Sequence, residues 1–175
     1  PGGEPSPMSA RAEAEVRAGL PGLMPRLWRY ALVLTKRADQ ADDLQQSTAL
    51  RALTRAAQYT PGTRLDAWVF TIAGSIWRND LRAAKVRRGA GLVPVEDLDL
   101  ADAAPDVETN ILAREVLSLV TDLPEAQRDA VFLVYVEGYS YAEAAGILDI
   151  PVGTVMSRLS AGRRKINAAM AEREG

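Results

Sequence analysis

Two stretches of this sequence repeat their apolar residues at helical spacing, and the interval between them, 89–108, has no period at all. No other feature limits the fold as much, because strand-like alternation of apolar and polar residues is found nowhere. In the first stretch Leu27, Ala31 and Leu34 mark one buried face. Ala41, Leu44, Thr48 and Leu53 mark a second, and Val69, Ile72, Ala73 and Ile76 a third. Pro21 and Pro25 predict that a short opening helix stops before the next begins. Asp39 is placed to cap a helix reaching Ala57, Pro61-Gly62 to turn the chain, and Leu65 to open a helix lasting to Val86. The interval 89–108 contains Gly89, Gly91, Pro94 and Pro105, and its only charges are Glu96, Asp97, Asp99, Asp102, Asp106 and Glu108. A solvated spacer has that composition. The expectation is an all-α fold: two small helical domains, 9–88 and 109–175, joined by a flexible acidic linker, 89–108. Residues 1–8, rich in Pro and Gly, are expected to be a disordered or non-native start. A length of 175 residues suits two small cores.

The second stretch carries the sharper local signals. A helix is expected over Asn110–Val120, and Pro124 opens another that runs to Val136 and ends at Gly138. Ser140 and Glu143 have capping-box spacing, so that hydroxyl and carboxylate each satisfy a backbone donor at a helix start. That helix reaches Leu148, breaks at Asp149-Ile150-Pro151, and a longer helix starts at Val152. Ala144, Ala145, Leu148, Ile150, Val155 and Leu159 form an apolar wedge between the two, which together read as a helix-turn-helix. Thr154, Ser157 and Arg158 then fall where a recognition helix meets base edges, and Arg163, Arg164 and Lys165 where it meets phosphates. A helical hairpin with a solvated basic face fits the same residues.

Composition removes several chemistries. With neither Cys nor His, disulfides, thiolate nucleophiles, imidazole bases and the common zinc sites are excluded, and no metal or cofactor is expected. Asp42 and Asp43 project about 100° apart on a helix, which does not suit a shared catalytic site. No Gly-rich phosphate loop is present, so no enzyme is expected. No apolar run approaches the about 20 residues of a membrane-spanning helix, and a cytoplasmic protein without membrane insertion is expected. The net charge of −2 is unusual for an autonomous DNA-binding protein, which normally neutralises phosphates with a basic surplus. A partner is expected to supply much of any affinity for DNA.

Leu123-Pro-Glu-Ala-Gln-Arg128, Gly138-Tyr-Ser-Tyr-Ala-Glu-Ala-Ala145 and Ile150-Pro-Val-Gly-Thr-Val-Met-Ser-Arg-Leu159 closely resemble the −35-reading domain of sigma-70 family factors of the extracytoplasmic-function group. Upstream, Asp42-Asp-Leu-Gln-Gln-Ser-Thr-Ala-Leu-Arg-Ala52 and Ala67-Trp-Val-Phe-Thr-Ile-Ala73 resemble that family's first conserved domain. The resemblance implies a region 2-like bundle over 9–88 and a region 4-like helix-turn-helix over 109–175. It implies core RNA polymerase as partner, through the clamp helices of the largest subunit and the flap of the second-largest, together with promoter DNA and an anti-sigma factor. Asp42, Asp43, Leu44, Gln46 and Leu50 become the expected polymerase-binding residues. Tyr59, Arg64, Arg78, Asn79, Arg82, Lys85 and Arg87 become those expected at the −10 element, Tyr59 as a stacking surface and the basic run along the backbone. Trp68 and Trp77 read as packing residues. The acidic linker is expected to lie in the path of nascent RNA.

The chain departs from the family pattern where Gly74-Ser75 replaces a common Arg-Asn pair, Arg78-Asn79 following one turn later. Asp149 stands where the turn usually has Gly, and Met156, Ser160 and Ala161 where base-reading positions are often basic or aromatic. A stand-alone helix-turn-helix regulator is the alternative function, and it leaves the upstream resemblances unused.

Overall fold

The computed structural model describes residues 4–89 and 111–175; the expected linker, Gly89 apart, lies outside the described residues. Within them every regular element is helical: α1 Pro7–Thr35, α2 Ala38–Thr54, α3 Leu65–Gly89, α4 Ile111–Thr121, α5 Glu125–Val131, α6 Tyr141–Leu148 and α7 Val152–Glu174.

The break expected at Pro21 and Pro25 does not occur, and α1 runs through both. A proline inside a helix removes one N–H and crowds the turn before it. Here both residues are exposed, so water can reach the carbonyls left without a helical partner, while Val16, Leu20, Leu27 and Tyr30 are buried on the side facing the core. Burial of that long face outweighs the local loss.

Asp39 does not cap α2. Arg37 occupies the capping position, and Asp39 lies in the first turn, paired with Arg37 at 3.1 Å, where its charge suits the positive end of the helix. The helix stops at Thr54, short of the expected Ala57, and a single 3₁₀ turn, Ala56–Gln58, follows. Its buried face is Ala41, Leu44, Thr48 and Ala52, whereas Leu53, expected inside, is 45% exposed.

In the second half, α5 continues through a π-helical turn, Phe132–Val136, and ends before Gly138, whose φ is +76°. The capping box at Ser140 and Glu143 forms as expected, and Asp149 takes the left-handed conformation at the end of α6 (φ 54°). Pro151 then precedes α7, giving the helix-turn-helix.

The sequence left the arrangement of the two halves open, and the structure packs them on a single hydrophobic core. Four aromatic rings join them. Tyr30 of α1 stacks on Phe70 of α3 (4.9 Å) and on Phe132 (5.9 Å), and Phe70 meets the edge of Tyr139 (6.0 Å). Gly74 of α3 faces the end of α6. A Cβ there would lie 3.2 Å from the Arg78 guanidinium, 3.5 Å from the Tyr30 hydroxyl and 3.8 Å from the Ile147 carbonyl.

Candidate nucleic-acid and polymerase interfaces

The recognition helix α7 is fixed by Val155, Leu159 and Gly162, which are buried against the rest of the second half. Of the residues expected to meet DNA, Ser157, Arg163, Arg164 and Lys165 are exposed and Thr154 is half-buried. Ser157 donates its hydroxyl to the Thr154 carbonyl (3.1 Å), and Arg163 donates to the Tyr135 hydroxyl (2.6 Å). Arg158 is half-buried and does not share the outward face. It lines a cleft of about 140 Å³ between the halves, with Gly74, Arg78, Asp129 and Leu148. Burial raises the Asp129 carboxyl above its ordinary range, and the Ala130 amide and the charges of Arg158 and Arg128 pull the other way.

The residues expected at a −10 element separate into two sets. Arg82, Lys85 and Arg87 are exposed along the last turns of α3, as is Asn79, whose side-chain oxygen accepts from Arg82. Arg78 is half-buried and donates to the Leu148 carbonyl across the cleft (3.4 Å). Tyr59 requires a correction. It is only 4% exposed, its ring packs on Trp68 at 5.3 Å and its hydroxyl donates to the Thr63 carbonyl. That side chain shapes the 59–64 loop from beneath and offers no face to a base. Trp68 and Trp77 pack against the core, as expected of them.

Of the residues expected to bind polymerase, Asp42, Asp43, Gln46 and Leu50 are exposed. Leu44 is a second correction: at 4% exposure it belongs to the core, one of the side chains that hold α2 on α1. Asp42 accepts from the Trp28 indole N–H at 2.7 Å, so one carboxylate of the pair is held in place. The α2 surface also carries a residue assigned to the interior from the sequence, Leu53. Leu50 and Leu53, 65% and 45% exposed, make an apolar edge beside Asp43 and Gln46.

Sequence reasoning missed the polar contacts between the halves. Asp66, at the start of α3, accepts from the Tyr139 hydroxyl (2.7 Å), Arg64 (2.9 Å) and Arg26 (3.1 Å). Burial works against its charge, but the hydrogen bonds from Tyr139, Arg64 and Arg26 prevail and hold its pKa at about 2. Arg26 also pairs with Glu137 at 2.9 Å. Arg64, expected at DNA, pairs with Glu143 at 2.7 Å and lies 4.6 Å over the Tyr139 ring. Arg128, 7% exposed, donates to the Val33 and Leu34 carbonyls (2.5 and 3.2 Å) at the end of α1, where the helix dipole is negative. Burial lowers its pKa, and the charges of Glu125 and Asp129 offset part of that. Such long-range pairs follow no spacing rule within one element, so no local pattern announces them.

Comparison with known proteins gives a consistent picture. Residues 22–87 match the family described as Sigma-70 region 2, and residues 113–166 that described as Sigma-70, region 4. The ECF RNA polymerase sigma factor EcfG of Rhodopseudomonas palustris is 38% identical over 152 residues, covering 84% of this chain and 80% of that protein. The RNA polymerase sigma factor CarQ of Myxococcus xanthus is 32% identical over 151 residues, covering 86% of each. Among solved structures, the sigma factor RpoE of Bartonella quintana, crystallised with the anti-sigma factor NepR, aligns with a TM-score of 0.74 at 27% identity. That alignment covers 89% of this chain and 96% of RpoE. CnrH, solved with the cytosolic domain of CnrY, shares the fold at a TM-score of 0.61 and 23% identity, with 94% and 96% covered.

Proposed function

The chain belongs to the sigma-70 family of RNA polymerase sigma factors, in its extracytoplasmic-function group, and from that premise we propose how its surfaces divide promoter recognition. As a sigma factor it directs promoter-specific transcription initiation. The half spanning 109–175 positions polymerase at the −35 element through α7, with Arg163, Arg164 and Lys165 on phosphates. The half spanning 9–88 engages the −10 element through the exposed Asn79, Arg82, Lys85 and Arg87, joined by Arg64 and Arg78 once the halves separate, a step that also frees Arg158 of α7 for the −35 element. The edge formed by Asp43, Gln46, Leu50 and Leu53 docks on the clamp helices of the largest polymerase subunit, and the second half on the flap of the second-largest. The net charge of −2 is consistent with that division: polymerase provides the nonspecific affinity and this chain the selection.

An anti-sigma factor is the proposed regulator, supported by the RpoE–NepR complex and by the packing of the halves. A partner that prefers the packed arrangement keeps Arg64, Arg78 and Arg158 engaged between the halves and away from DNA, and its differential affinity for that arrangement sets the degree of control.

The observation that carries the polymerase assignment is the pair of exposed leucines on α2, large apolar groups facing solvent beside Asp43 and Gln46. Leu50→Glu tests it. Association with core polymerase should weaken at least tenfold while the melting temperature stays within a degree or two, because a side chain 65% exposed adds little to folding. Unchanged association would refute the assignment.

A further inference from the structure

Residues 152–161, the half of α7 that enters a major groove, contain a single charged side chain, Arg158. It is half-buried in the cleft beside Asp129 and not on the outward face. That face carries Val152 (42% exposed), Gly153, Met156 (52% exposed) and Ser157. Val152 and Met156 are spaced i, i+4, so they form one apolar stripe. Two turns on, the stripe continues into Arg163, whose guanidinium is held by the Tyr135 hydroxyl at 2.6 Å. No acidic residue occurs between Val152 and Met170, and Arg163, Arg164 and Lys165 are exposed, so the surface around the stripe suits a polyanion.

The major groove offers one apolar group to such a stripe, the C5-methyl of thymine. We infer that α7 selects its −35 element in part through thymine methyl contacts made by Met156, flanked by Val152. The inference rests on the sigma reading and sharpens it. Ser157, its hydroxyl already donated to Thr154, keeps acceptor capacity and contributes little discrimination by itself. A flexible thioether side chain half in solvent gains by burying a methyl group and has no polar atom to leave unpaired.

The test is transcription by the holoenzyme assembled from this chain and core polymerase. The promoter is the one it selects from a genomic pool, and each thymine of the −35 element is replaced in turn by deoxyuridine, which differs only by the absent methyl. Wild-type initiation should fall about three- to fivefold at one or two thymines, the worth of one buried methyl. Met156→Ala should show a similar loss on the unmodified template and no further response to deoxyuridine at those positions, and Met156→Leu should retain the response. Indifference of the wild type to every deoxyuridine overturns the inference, as does a selected element without A·T pairs or a Met156→Ala variant that keeps the full response. Met156→Ala that alters only binding to a protein partner assigns the stripe to that partner and also overturns it. Failure to initiate at any promoter with core polymerase removes the sigma reading itself, a result visible before any template is modified.

Discussion

Single residues carry much of the junction between the halves. Arg128 is buried without a carboxylate in ion-pair contact among the described residues, and it is stabilised instead by carbonyls at the negative end of α1. Arg128→Ala leaves those carbonyls unpaired and a cavity at the junction, and should lower unfolding free energy by about 2–4 kcal/mol in a urea titration. A loss below about 0.5 kcal/mol would mean that the guanidinium contributes nothing net. Tyr30 has the opposite character: its ring is central to the aromatic stack, but its hydroxyl is buried without a partner, and burial drives its pKa far above the usual value. Tyr30→Phe keeps the stack and removes the unpaired group, so it should raise stability by about 1 kcal/mol. At this scale the sequence was a partial guide. The spacing of Ser140 and Glu143 encodes a contact within one turn, and it forms. Leu44 and Tyr59 were assigned outward roles because motif position says which helix or loop a residue occupies, whereas burial depends on which way that helix rolls against its neighbours.

At the scale of elements, periodicity and turn signals placed α2 to α7 but split α1 in two and missed the 3₁₀ turn Ala56–Gln58, errors that fell where packing overrides local rules. α1 keeps its course through two prolines because its buried face extends on both sides of them, and burial on that length is invisible to a rule about single residues. The helix-turn-helix was legible in its capping box, its break at Asp149-Ile150-Pro151 and its recognition helix. Its cap gives a clean measurement. Ser140→Ala should cost about 1 kcal/mol, the usual worth of an N-cap, and weaken protection of the α6 amides from hydrogen exchange. Unaltered α6 protection would show that its packing on α3 and α7 alone fixes the helix. The outward stripe of α7 was half legible, since the sequence places Met156 on the recognition helix but does not turn Arg158 toward the other half.

At the scale of the whole molecule, two units joined by a spacer were expected, and the described residues pack as one core. The reason lies in the Arg26–Glu137 and Tyr139–Asp66 pairs and the aromatic stack, contacts between residues many tens apart that only a folded chain brings together. Asp66 makes that junction pH-dependent. Its carboxyl titrates at about 2 in the folded protein against an ordinary 3.8, so its contribution is complete above about pH 4 and disappears as pH falls through about 2. The stability difference between wild type and Asp66→Asn should therefore be largest at neutral pH, shrink below about pH 4 and vanish near pH 2. A difference independent of pH across that window would show that the carboxylate charge is not what the junction uses.

Promoter selection through polymerase is the claim on which these surfaces depend, and one measurement tests it most directly. Transcript starts from a genomic template pool are sequenced with core polymerase alone, with this chain alone and with both, and binding of the chain to the selected promoters is titrated in parallel. The expected result is a discrete set of starts only when both are present, with weak promoter binding by the isolated chain. Tight, sequence-specific binding without polymerase, and no new starts with it, would contradict the claim and leave a stand-alone regulator in its place.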